Sequence, residues 1–390
     1  MKMDRFEDIE PELERRSAEL HGEMPAQKQE PSAHLPTLAL ACLADIDPEP
    51  KRFAVGRLAP AGEVTLFTGP GSAGKSLLAQ QIATAIAAGS TTLGLEMVNG
   101  PAVYVTCEDD ERELHWRQAH ICQALNVPMA SLDGRLLLSS LRGRLDNALE
   151  VMKEKGEPEP SPLYKLLSTT IRSRGAQILF LDNLAHLFVG NENDRGEVTR
   201  FVNLLNRLAG ETGAAIVLLG HPNKSGDDYS GSTAWLNAVR SQFNIEHDLD
   251  TDLRTLRVGK ANYGRKGEIC RFLWIDWAFV LEDDLPPDRA KALRDTAEAT
   301  ADNGIFLACL RESVKQQRNV SEKTSSAYAP TRFARMAQSK GIGKDRLEKA
   351  MERLFNIGAI ERGEMPWNDG HRHAVIGLRE TAGDGAGNPA

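Results

Sequence analysis

The residues from 69 to 76 combine three glycines with a lysine and a serine, the residue types from which a phosphate-binding loop is built. They are Gly69, Pro70, Gly71, Ser72, Ala73, Gly74, Lys75 and Ser76, and they fit the pattern G-x-x-x-x-G-K-[ST]. Glycine leaves backbone N–H groups open to phosphate oxygens, and a helix that begins at the loop adds a favourable dipole. We expect Lys75 to reach the β- and γ-phosphates of ATP and Ser76 to bind Mg²⁺, with Leu77 as the last residue of the nucleotide-binding segment. A glycine-rich turn with a chance lysine is the competing interpretation, which the strand and helix patterns flanking the loop disfavour.

A second candidate, Asp182, ends an apolar run at 178–182, where a buried parallel strand would deliver its carboxylate beside the phosphate loop. We therefore expect Asp182 to hold Mg²⁺ through a water molecule, together with Ser76. An aspartate at a strand end is also a common turn starter, and it is the nearby phosphate loop that favours the metal role. Asn183 comes next, so no acid stands there to activate water, and the base must come from elsewhere.

Glu108 is the candidate for that base, because it directly follows the apolar run 102–107. Adjacent parallel strands deliver their C-terminal residues to the same crevice, so its carboxylate would lie near the nucleotide. There it would orient and deprotonate the attacking water. Asp109 and Asp110 stand beside it, and the alternative is that all three are solvated turn acids, with Asp110 capping the next helix.

His221 follows the apolar run 215–220 and leads into a segment rich in glycine and serine, 224–233. A polar residue at this strand end lies where a γ-phosphate would be sensed, so we predict that His221 couples the nucleotide state to that segment. A lone histidine is more often structural. Its position at the mouth of the nucleotide crevice favours the sensing role.

These side chains need strands whose carboxyl ends meet at one edge of a sheet. From about 38 to 282, short β-rich runs alternate with helical patterns, which is typical of a mostly parallel sheet covered by helices. The candidate strands are 63–68, 102–107, 136–139, 177–182, 215–220, 242–246, 253–258 and 271–280. The predicted fold class is therefore α/β, a P-loop NTPase domain with a mostly parallel central sheet.

Changes in sequence pattern divide the chain into five predicted segments. Residues 1–37 are charged and poor in apolar periodicity, which predicts a disordered or flexible tail. Residues 38–282 form the α/β domain, and a run of acids and prolines at 283–288 opens a linker, 283–302. Residues 303–380 form a small domain of three helices, near 303–317, 330–339 and 343–357, and a hairpin at 359–362 and 373–378. That order resembles a winged helix, and a disordered tail, 381–390, follows it.

Composition limits the classes of partner. The net charge of −8 at pH 7 argues against a uniformly basic nucleic-acid coat, so any such contact must come from local patches. The five cysteines are scattered without a close pair, which is typical of reduced thiols rather than of a disulfide framework or a zinc ribbon. No run of about 18 apolar residues occurs, and the first 30 residues are too acidic for a signal or transit peptide. We expect a cytoplasmic protein with no membrane contact.

Together these segments resemble the RecA-like hexameric ATPases and helicases, most closely the RepA-type plasmid replicative helicases of the DnaB-like group. The resemblance covers 54 to about 275, and its segments follow the family order, namely 69–76, 104–109, 179–182, 213–224, 231–240 and 260–264. It implies a RecA-like fold and a homo-oligomeric ring, as a hexamer. It also implies single-stranded DNA as a partner, with an initiator or a primase as a further one.

The resemblance assigns roles to single residues as well. The family's catalytic base corresponds to Glu108, and its γ-phosphate sensor corresponds to His221. In such a ring a basic residue of one subunit reaches the nucleotide of the next as an arginine finger, and Arg240 is the first candidate and Lys260 the second. Spacing alone would make both of them surface charges, on a helix and at a strand end. Two features depart from the family: 220–223 read Gly-His-Pro-Asn where such helicases often carry paired histidines, and the winged-helix-like region is additional.

Two local groups of basic residues are candidates for nucleic-acid contact. Residues 254–271 carry six Lys or Arg against Glu268 alone, with Tyr263 among them, and a solvated strand face is an equal alternative. Residues 311–353 carry eleven Lys or Arg against five acids, with 343–349 as the predicted recognition helix. A winged helix also serves to dock proteins. Loops 186–196 and 224–233, with Arg195 and Lys224, are the predicted lining of a ring's channel.

Two functions from different classes follow. The first is Mg²⁺-dependent ATP hydrolysis by a RecA-like ring coupled to translocation on single-stranded DNA, as in a replicative helicase. The second is an ATP-switched DNA-binding regulator or helicase loader, in which the winged helix selects a site. A P-loop kinase is disfavoured, because Glu108 and His221 suit attack by water and phosphate sensing, and because no arginine-rich lid follows the P-loop.

Overall fold

Strands and helices alternate along most of the chain in the computed structural model, which describes residues 37–153, 158–220, 233–368 and 371–381. The strands are β1 (Phe53–Val55), β2 (Ala59–Pro60), β3 (Val64–Thr68), β4 (Ala102–Thr106), β5 (Leu136–Ser140), β6 (Glu150–Met152), β7 (Pro158–Pro160), β8 (Ile178–Asp182), β9 (Ala215–Leu219), β10 (Ser241–Asp248), β11 (Leu253–Ala261), β12 (Gly267–Ile275), β13 (Ala278–Leu281), β14 (Ile360–Asn368) and β15 (Ala374–Glu380). The α-helices are α1 (Leu40–Leu43), α2 (Lys75–Ala88), α3 (Glu111–Ala124), α4 (Pro162–Arg174), α5 (Leu184–Leu187), α6 (Arg195–Thr212), α7 (Thr233–Ala238), α8 (Pro287–Lys315), α9 (Ala329–Phe333) and α10 (Lys344–Asn356). Residues 37–50, which include α1, belong to a separate unit that ends at Pro50. Within the described residues, no helix combines the length and apolar character needed to cross a membrane.

Nine of the described strands form one sheet, in the order β5-β4-β8-β9-β3-β10-β11-β12-β13. The neighbours from β5 to β10 are parallel to one another, and β11, β12 and β13 extend the sheet in antiparallel fashion. The predicted α/β class with a mostly parallel sheet is thus confirmed. Because β3, β4 and β8 run in the same direction, the residues that follow their C-terminal ends gather at one edge of the sheet.

One predicted strand is a hairpin instead. The sequence predicts a single strand at 271–280, but the chain forms β12 and β13, which pair antiparallel across a turn at Asp276 and Trp277. Both turn residues have a positive φ, 46° and 69°, which is uncommon for residues other than glycine and is found mostly in turns. The other seven predicted strands correspond to β3, β4, β5, β8, β9, β10 and β11, with ends shifted by a few residues.

The parallel sheet is buried on both faces. Alternate residues of β8 point in opposite directions, with Phe180 in one apolar cluster and Leu179 and Leu181 in the other. Helices α2 and α3 cover the first face, and α4 and α6 cover the second. This double burial explains why the strands are almost entirely apolar in sequence. It also places the start of α2 directly after β3, at the edge where β4 and β8 end.

Beyond the sheet, three helices and a hairpin form a separate apolar core. Phe306 of α8, Leu347 of α10 and Leu378 of β15 belong to this core, and β14 pairs antiparallel with β15. Helix α8 is continuous from Pro287 to Lys315. The segment 283–302, predicted as a linker, is therefore largely helical, and the predicted domain start at 303 falls inside α8. The assignment of this region as a winged helix stays a prediction.

Candidate active site

The loop between β3 and α2 fits so closely against the rest of the domain that two of its residues must be glycine. A Cβ on Gly69 would lie 2.3 Å from Cγ2 of Ile245 and 2.7 Å from its carbonyl oxygen, both on β10. A Cβ on Gly74 would lie 2.4 Å from Cζ of Phe279 on β13, and Gly74 also has a φ of +94°. The antiparallel extension of the sheet thus supports the loop from behind, which favours glycine here independently of any ligand.

Arg254 holds the same loop through its backbone. Its side chain is buried, its Nε donates to the carbonyl of Ala73 at 3.1 Å, and its guanidinium lies 5.4 Å from the ring centroid of Phe279. The side chain of Asp252 pairs with Arg254 Nη1 at 3.1 Å. In the sequence, Arg254 belongs to a basic stretch that is a candidate for nucleic-acid contact, and its burial behind the loop rules out that contact for Arg254.

Lys75 is the first residue of α2 and lies inside the loop. Its Nζ donates to the carbonyl oxygens of Gly69 at 2.8 Å and Pro70 at 3.0 Å. Burial lowers the pKa of Lys75 below its ordinary value, and the negative charges of Asp182 and Glu108 oppose that shift. The ammonium group therefore lies within the electrostatic reach of both predicted acids.

Asp182 is buried at the end of β8 and is held by two hydroxyl groups. Tyr104 on β4 donates its Oη to Asp182 Oδ2 at 2.6 Å, and the hydroxyl of Ser76 also bonds the carboxylate. Burial raises the pKa of Asp182, and the hydrogen bonds from Ser76 and Tyr104 act against that rise. Hydroxyl and carboxylate oxygens are the ligands that Mg²⁺ prefers, so Ser76 and Asp182 are a suitable pair to hold this ion.

The three acids that follow β4 have different partners. Asp110 caps α3, because its Oδ1 accepts from the backbone N–H of Glu113 at 2.9 Å. Asp109 pairs with the buried Arg117, whose Nη2 lies 2.9 Å from Asp109 Oδ2. The alternative interpretation, a turn acid that caps the next helix, holds for Asp110. Glu108 faces the site instead.

The carboxylate of Glu108 lies at the crevice with its side chain 46% exposed, so water has access to it. The side-chain amide of Asn183 donates to Glu108 Oε1, and His186 Nε2 lies 3.9 Å from the same oxygen. Oδ1 of Asn183 is buried without a hydrogen-bond partner, so the amide is oriented by its contact with Glu108. Glu108 has the access that a general base needs, and that role stays a prediction.

Arg240 and Lys260 are not brought to this site. Arg240 lies between α7 and β10, not on a helix, and the next residue, Ser241, pairs with Thr65 near the start of β3. Lys260 pairs with Gln242 on the adjacent strand, and its Nζ donates to the carbonyl of Leu236 at 2.5 Å. Both basic residues therefore lie towards the N-terminal ends of the parallel strands, away from the phosphate loop of their own chain.

Two of the four remaining cations in the stretch 254–271, Arg257 and Arg271, are paired with acids that lie outside it in sequence. Arg257 contacts Glu246 at 2.8 Å and Glu268 at 3.5 Å, and Arg271 contacts Glu282 at 2.8 Å. The stretch contains one acid in sequence, Glu268, but the fold brings Glu246 and Glu282 into contact with its arginines. The solvated, ion-paired strand face is the better description of this region.

Two arginines of α10, the predicted recognition helix, bond residues of α8. Arg346 makes two bonds to the carboxylate of Asp302, at 2.6 and 2.9 Å, and contacts Glu298 at 2.7 Å. Arg353 bonds the side chain of Asn303 at 3.0 Å. Both arginines attach α10 to α8, so their charges are already paired or hydrogen-bonded within the domain.

His221, Lys224 and the segment 224–232 lie outside the described residues, so the predicted sensor and one predicted channel loop have no structural account. Arg195, at the start of α6, is exposed.

Four residues of the site were not predicted: Tyr104, Asn183, Arg117 and Arg254. Tyr104 is a polar-tipped side chain within an apolar strand, and a buried tyrosine hydroxyl needs a partner. The sequence therefore indicated that Tyr104 bonds a polar group near the site. Arg117 likewise stands on the apolar face of α3. Arg254 and Asn183 carried no comparable signal, because their partners lie far away in the sequence.

A family model described as an AAA domain matches residues 6–227, more than half of the chain. The matched segment contains the phosphate loop, Glu108 and Asp182, and it ends before Arg240 and the C-terminal region.

Replacing Asp182 by asparagine tests what burying its charge costs. Because burial raises the pKa of Asp182, its contribution to stability is complete below the unfolded pKa of about 3.9 and is lost as pH rises through the folded pKa. We expect Asp182→Asn to have a higher free energy of unfolding than the wild type at pH 7, with the difference shrinking towards pH 4, while hydrolysis is lost. Urea unfolding at both pH values measures this, with Ser76→Ala as a control that leaves the charge in place. An Asp182→Asn protein less stable than the wild type at pH 7 contradicts the expectation.

Proposed function

We propose a function from one premise: the chain belongs to the AAA domain family. Its α/β domain is accordingly an ATPase domain that binds and hydrolyses nucleotide. Our proposal is that the substrate is ATP, that Mg²⁺ is required, and that the active unit is a hexameric ring moving on single-stranded DNA as a RepA-type replicative helicase. A cytoplasmic location is part of this proposal.

The observation that carries the proposal is the convergence of Lys75, Asp182 and Glu108 at one edge of the sheet. They follow β3, β8 and β4, and the fields of both carboxylates act on the lysine ammonium. A cation, a metal-binding acid and a water-accessible acid are the three groups that hydrolysis of a phosphoanhydride needs. Phosphate binding alone would not require Glu108.

The residues of the chain divide this work. The residues from Gly69 to Leu77 would hold the phosphates, and the ammonium of Lys75 would offset negative charge on them. Ser76 and Asp182 would hold Mg²⁺, the latter through water, and the bound ion would supply further charge neutralisation. Tyr104 keeps the Asp182 carboxylate oriented through its 2.6 Å bond. Glu108 would take the proton of the attacking water, with Asn183 fixing one of its oxygens.

The positions of the two predicted finger residues support a ring. Among the described residues, the predicted fingers Arg240 and Lys260 lie towards the opposite ends of the parallel strands. Burial and the positive charges of Arg240 and Lys266 lower the pKa of Lys260, so this cluster of cations is suited to receive an anion. We infer that each reaches the nucleotide of a neighbouring subunit, Arg240 first.

Single-stranded DNA would contact the loops at the nucleotide edge, where Arg195 and Lys224 supply charge. Since Arg257 and Arg271 are ion-paired, we do not assign the DNA track to their strands. An initiator or a primase would be the further partner of a replicative helicase.

The second candidate, an ATP-switched DNA-binding regulator or helicase loader, is favoured by the separate apolar core of the C-terminal region. Such a region can act as a recognition module. The pairing of Arg346 and Arg353 with α8 weakens the DNA-reading version of this candidate and leaves docking of a protein as its better form.

Glu108→Gln should separate binding from hydrolysis. It keeps the hydrogen bond to Asn183 sterically feasible but removes the proton acceptor, so turnover should fall by about 10²- to 10⁴-fold with ATP affinity within about twofold. Phosphate release and equilibrium binding of a fluorescent ATP analogue measure the two effects. Lys75→Ala serves as the comparison that loses binding as well. Undiminished turnover in Glu108→Gln would remove the assignment of the base.

Mixing two inactive variants tests whether Arg240 acts between subunits. Arg240→Ala lacks the finger and Glu108→Gln lacks the base, so random mixing should restore roughly a quarter of the shared sites in a closed ring. Phosphate release is measured for each variant alone and for the 1:1 mixture. Arg257→Ala, whose guanidinium is paired with Glu246, is the matched control and should behave as the wild type. A mixture no more active than its components moves the finger to Lys260, which the same mixing design examines next.

Single-stranded DNA distinguishes the two candidate functions. A helicase should show a severalfold faster ATPase with a single strand than with the same sequence as duplex, a ring-sized mass with ATP, and displacement of a labelled strand. Steady-state hydrolysis, light scattering and a gel assay provide these three readouts. ATPase without stimulation or displacement eliminates the helicase. Sequence-specific duplex binding that survives Arg240→Ala and Lys224→Ala supports the regulator or loader.

A further inference from the structure

A buried polar network interrupts the apolar interface between α2 and α3. Gln80 on α2 is fully buried, and its Nε2 donates to the carbonyl of Leu114 at 3.1 Å and to Gln118 Oε1 at 2.9 Å. Thr84 joins the network through Gln118 Nε2 at 3.1 Å. Since buried polar groups cost free energy unless they are paired, such a network specifies one relative placement of the two helices.

Arg117 connects this network to the active site. Its side chain is 11% exposed, its Nη1 donates to Gln80 Oε1 at 3.2 Å, and its Nη2 lies 2.9 Å from Asp109 Oδ2 and 3.4 Å from Glu113 Oε1. The planar guanidinium fixes several directions at once, which a flexible ammonium would not do. One end of the network is therefore Gln80 on α2, five residues after Lys75. The other end is Asp109, the residue that follows Glu108.

The turn at Glu108 and Asp109 is also fixed to the sheet. The backbone N–H groups of both residues point to Thr106 Oγ1, at 3.2 and 3.3 Å, and the carbonyl of Asp109 accepts from Ser140 Oγ at 2.7 Å. These bonds attach the turn to β4 and β5. The Arg117 to Asp109 pair ties the same turn to α2, the helix that begins with Lys75.

We propose that Arg117 is a positioning residue for hydrolysis, which sets the placement of the Glu108 carboxylate relative to the phosphate loop by holding Asp109. This inference rests on the proposed function of Glu108 as the base. Arg117 touches neither substrate nor reacting atoms in this scheme, and it acts through the turn. A base misplaced by about 1 Å can cost about 10²-fold in rate, so a fixed turn matters for turnover.

A purely structural role for Arg117 explains less. A buried ion pair is weak evidence for stability, because the desolvation of two charges offsets much of their attraction. Leu114 and Ile121 on the same helix are buried and apolar, so a methionine would keep the packing volume at this position, while Gln80 Oε1 would lose its bond from Arg117. A charged fork directed at the neighbour of Glu108 is unnecessary for packing and useful for placing the turn.

The test compares Arg117→Met, Arg117→Lys and Asp109→Asn with the wild type. We expect Arg117→Met and Asp109→Asn to lower kcat by about 10- to 100-fold with KM for ATP within about twofold, and Arg117→Lys to recover part of the loss. Hydrogen exchange of the 107–110 amides should be faster in Arg117→Met even without nucleotide. Arg346→Met, which loses the pair with Asp302 in the C-terminal region, is the matched control and should leave kcat unchanged.

A double mutant separates positioning from general damage. In the Glu108→Gln background Arg117→Met should lower the residual single-turnover rate no further, because the group it positions is already gone. An equal further fall there, a KM increase that accounts for the whole effect, or an unchanged kcat overturns the inference while the proposed function stands. A wild-type protein without hydrolysis, or a fully active Glu108→Gln, overturns the proposed function and the inference with it.

Discussion

Burying the carboxylate of Asp182 is the constraint on which this domain depends. An ionised acid at the end of a fully buried strand is costly, and burial raises its pKa accordingly. The two hydroxyls that compensate come from Tyr104 on β4 and Ser76 on α2, the neighbouring strand and the phosphate-loop helix. Satisfying one charge thus fixes the relation of three elements. The fold and the site share this interaction.

The antiparallel strands beyond β10 support the phosphate loop. They bring Phe279 against Gly74 and Arg254 against the carbonyl of Ala73, while β10 itself approaches Gly69. Glycine has no side chain, so apart from the bonds of Lys75 to Gly69 and Pro70 the glycine positions depend on residues that pack against them. The shape is therefore imposed from outside by residues about 180 positions later in the chain, as the Arg254 to Ala73 bond shows.

This division explains what the sequence could predict. The phosphate loop, the strand ends carrying Glu108 and Asp182, and the α/β class rest on local patterns, and the class is confirmed. The partners of charged residues are often distant in sequence. From the sequence Arg254 is expected to be a surface cation, but the fold places it behind Ala73. Arg257 has no evident partner in the sequence, but in the fold it pairs with Glu246. The turn at 276–277 was missed because apolar residues flank it on both sides, although Asp276 is a residue type that favours turns.

The polarity of the sheet also bears on how hydrolysis would be controlled. Parallel strands place the site at one end of the sheet and Arg240 and Lys260 towards the other, so neither of these two predicted fingers lies at the nucleotide site of its own chain. In the proposed ring, completion of each site requires a neighbour. Lys260 also donates to Leu236 on α7, which follows the segment that contains His221. A cation that served a neighbour's nucleotide would therefore be bonded to the helix that ends the predicted sensing segment of its own subunit.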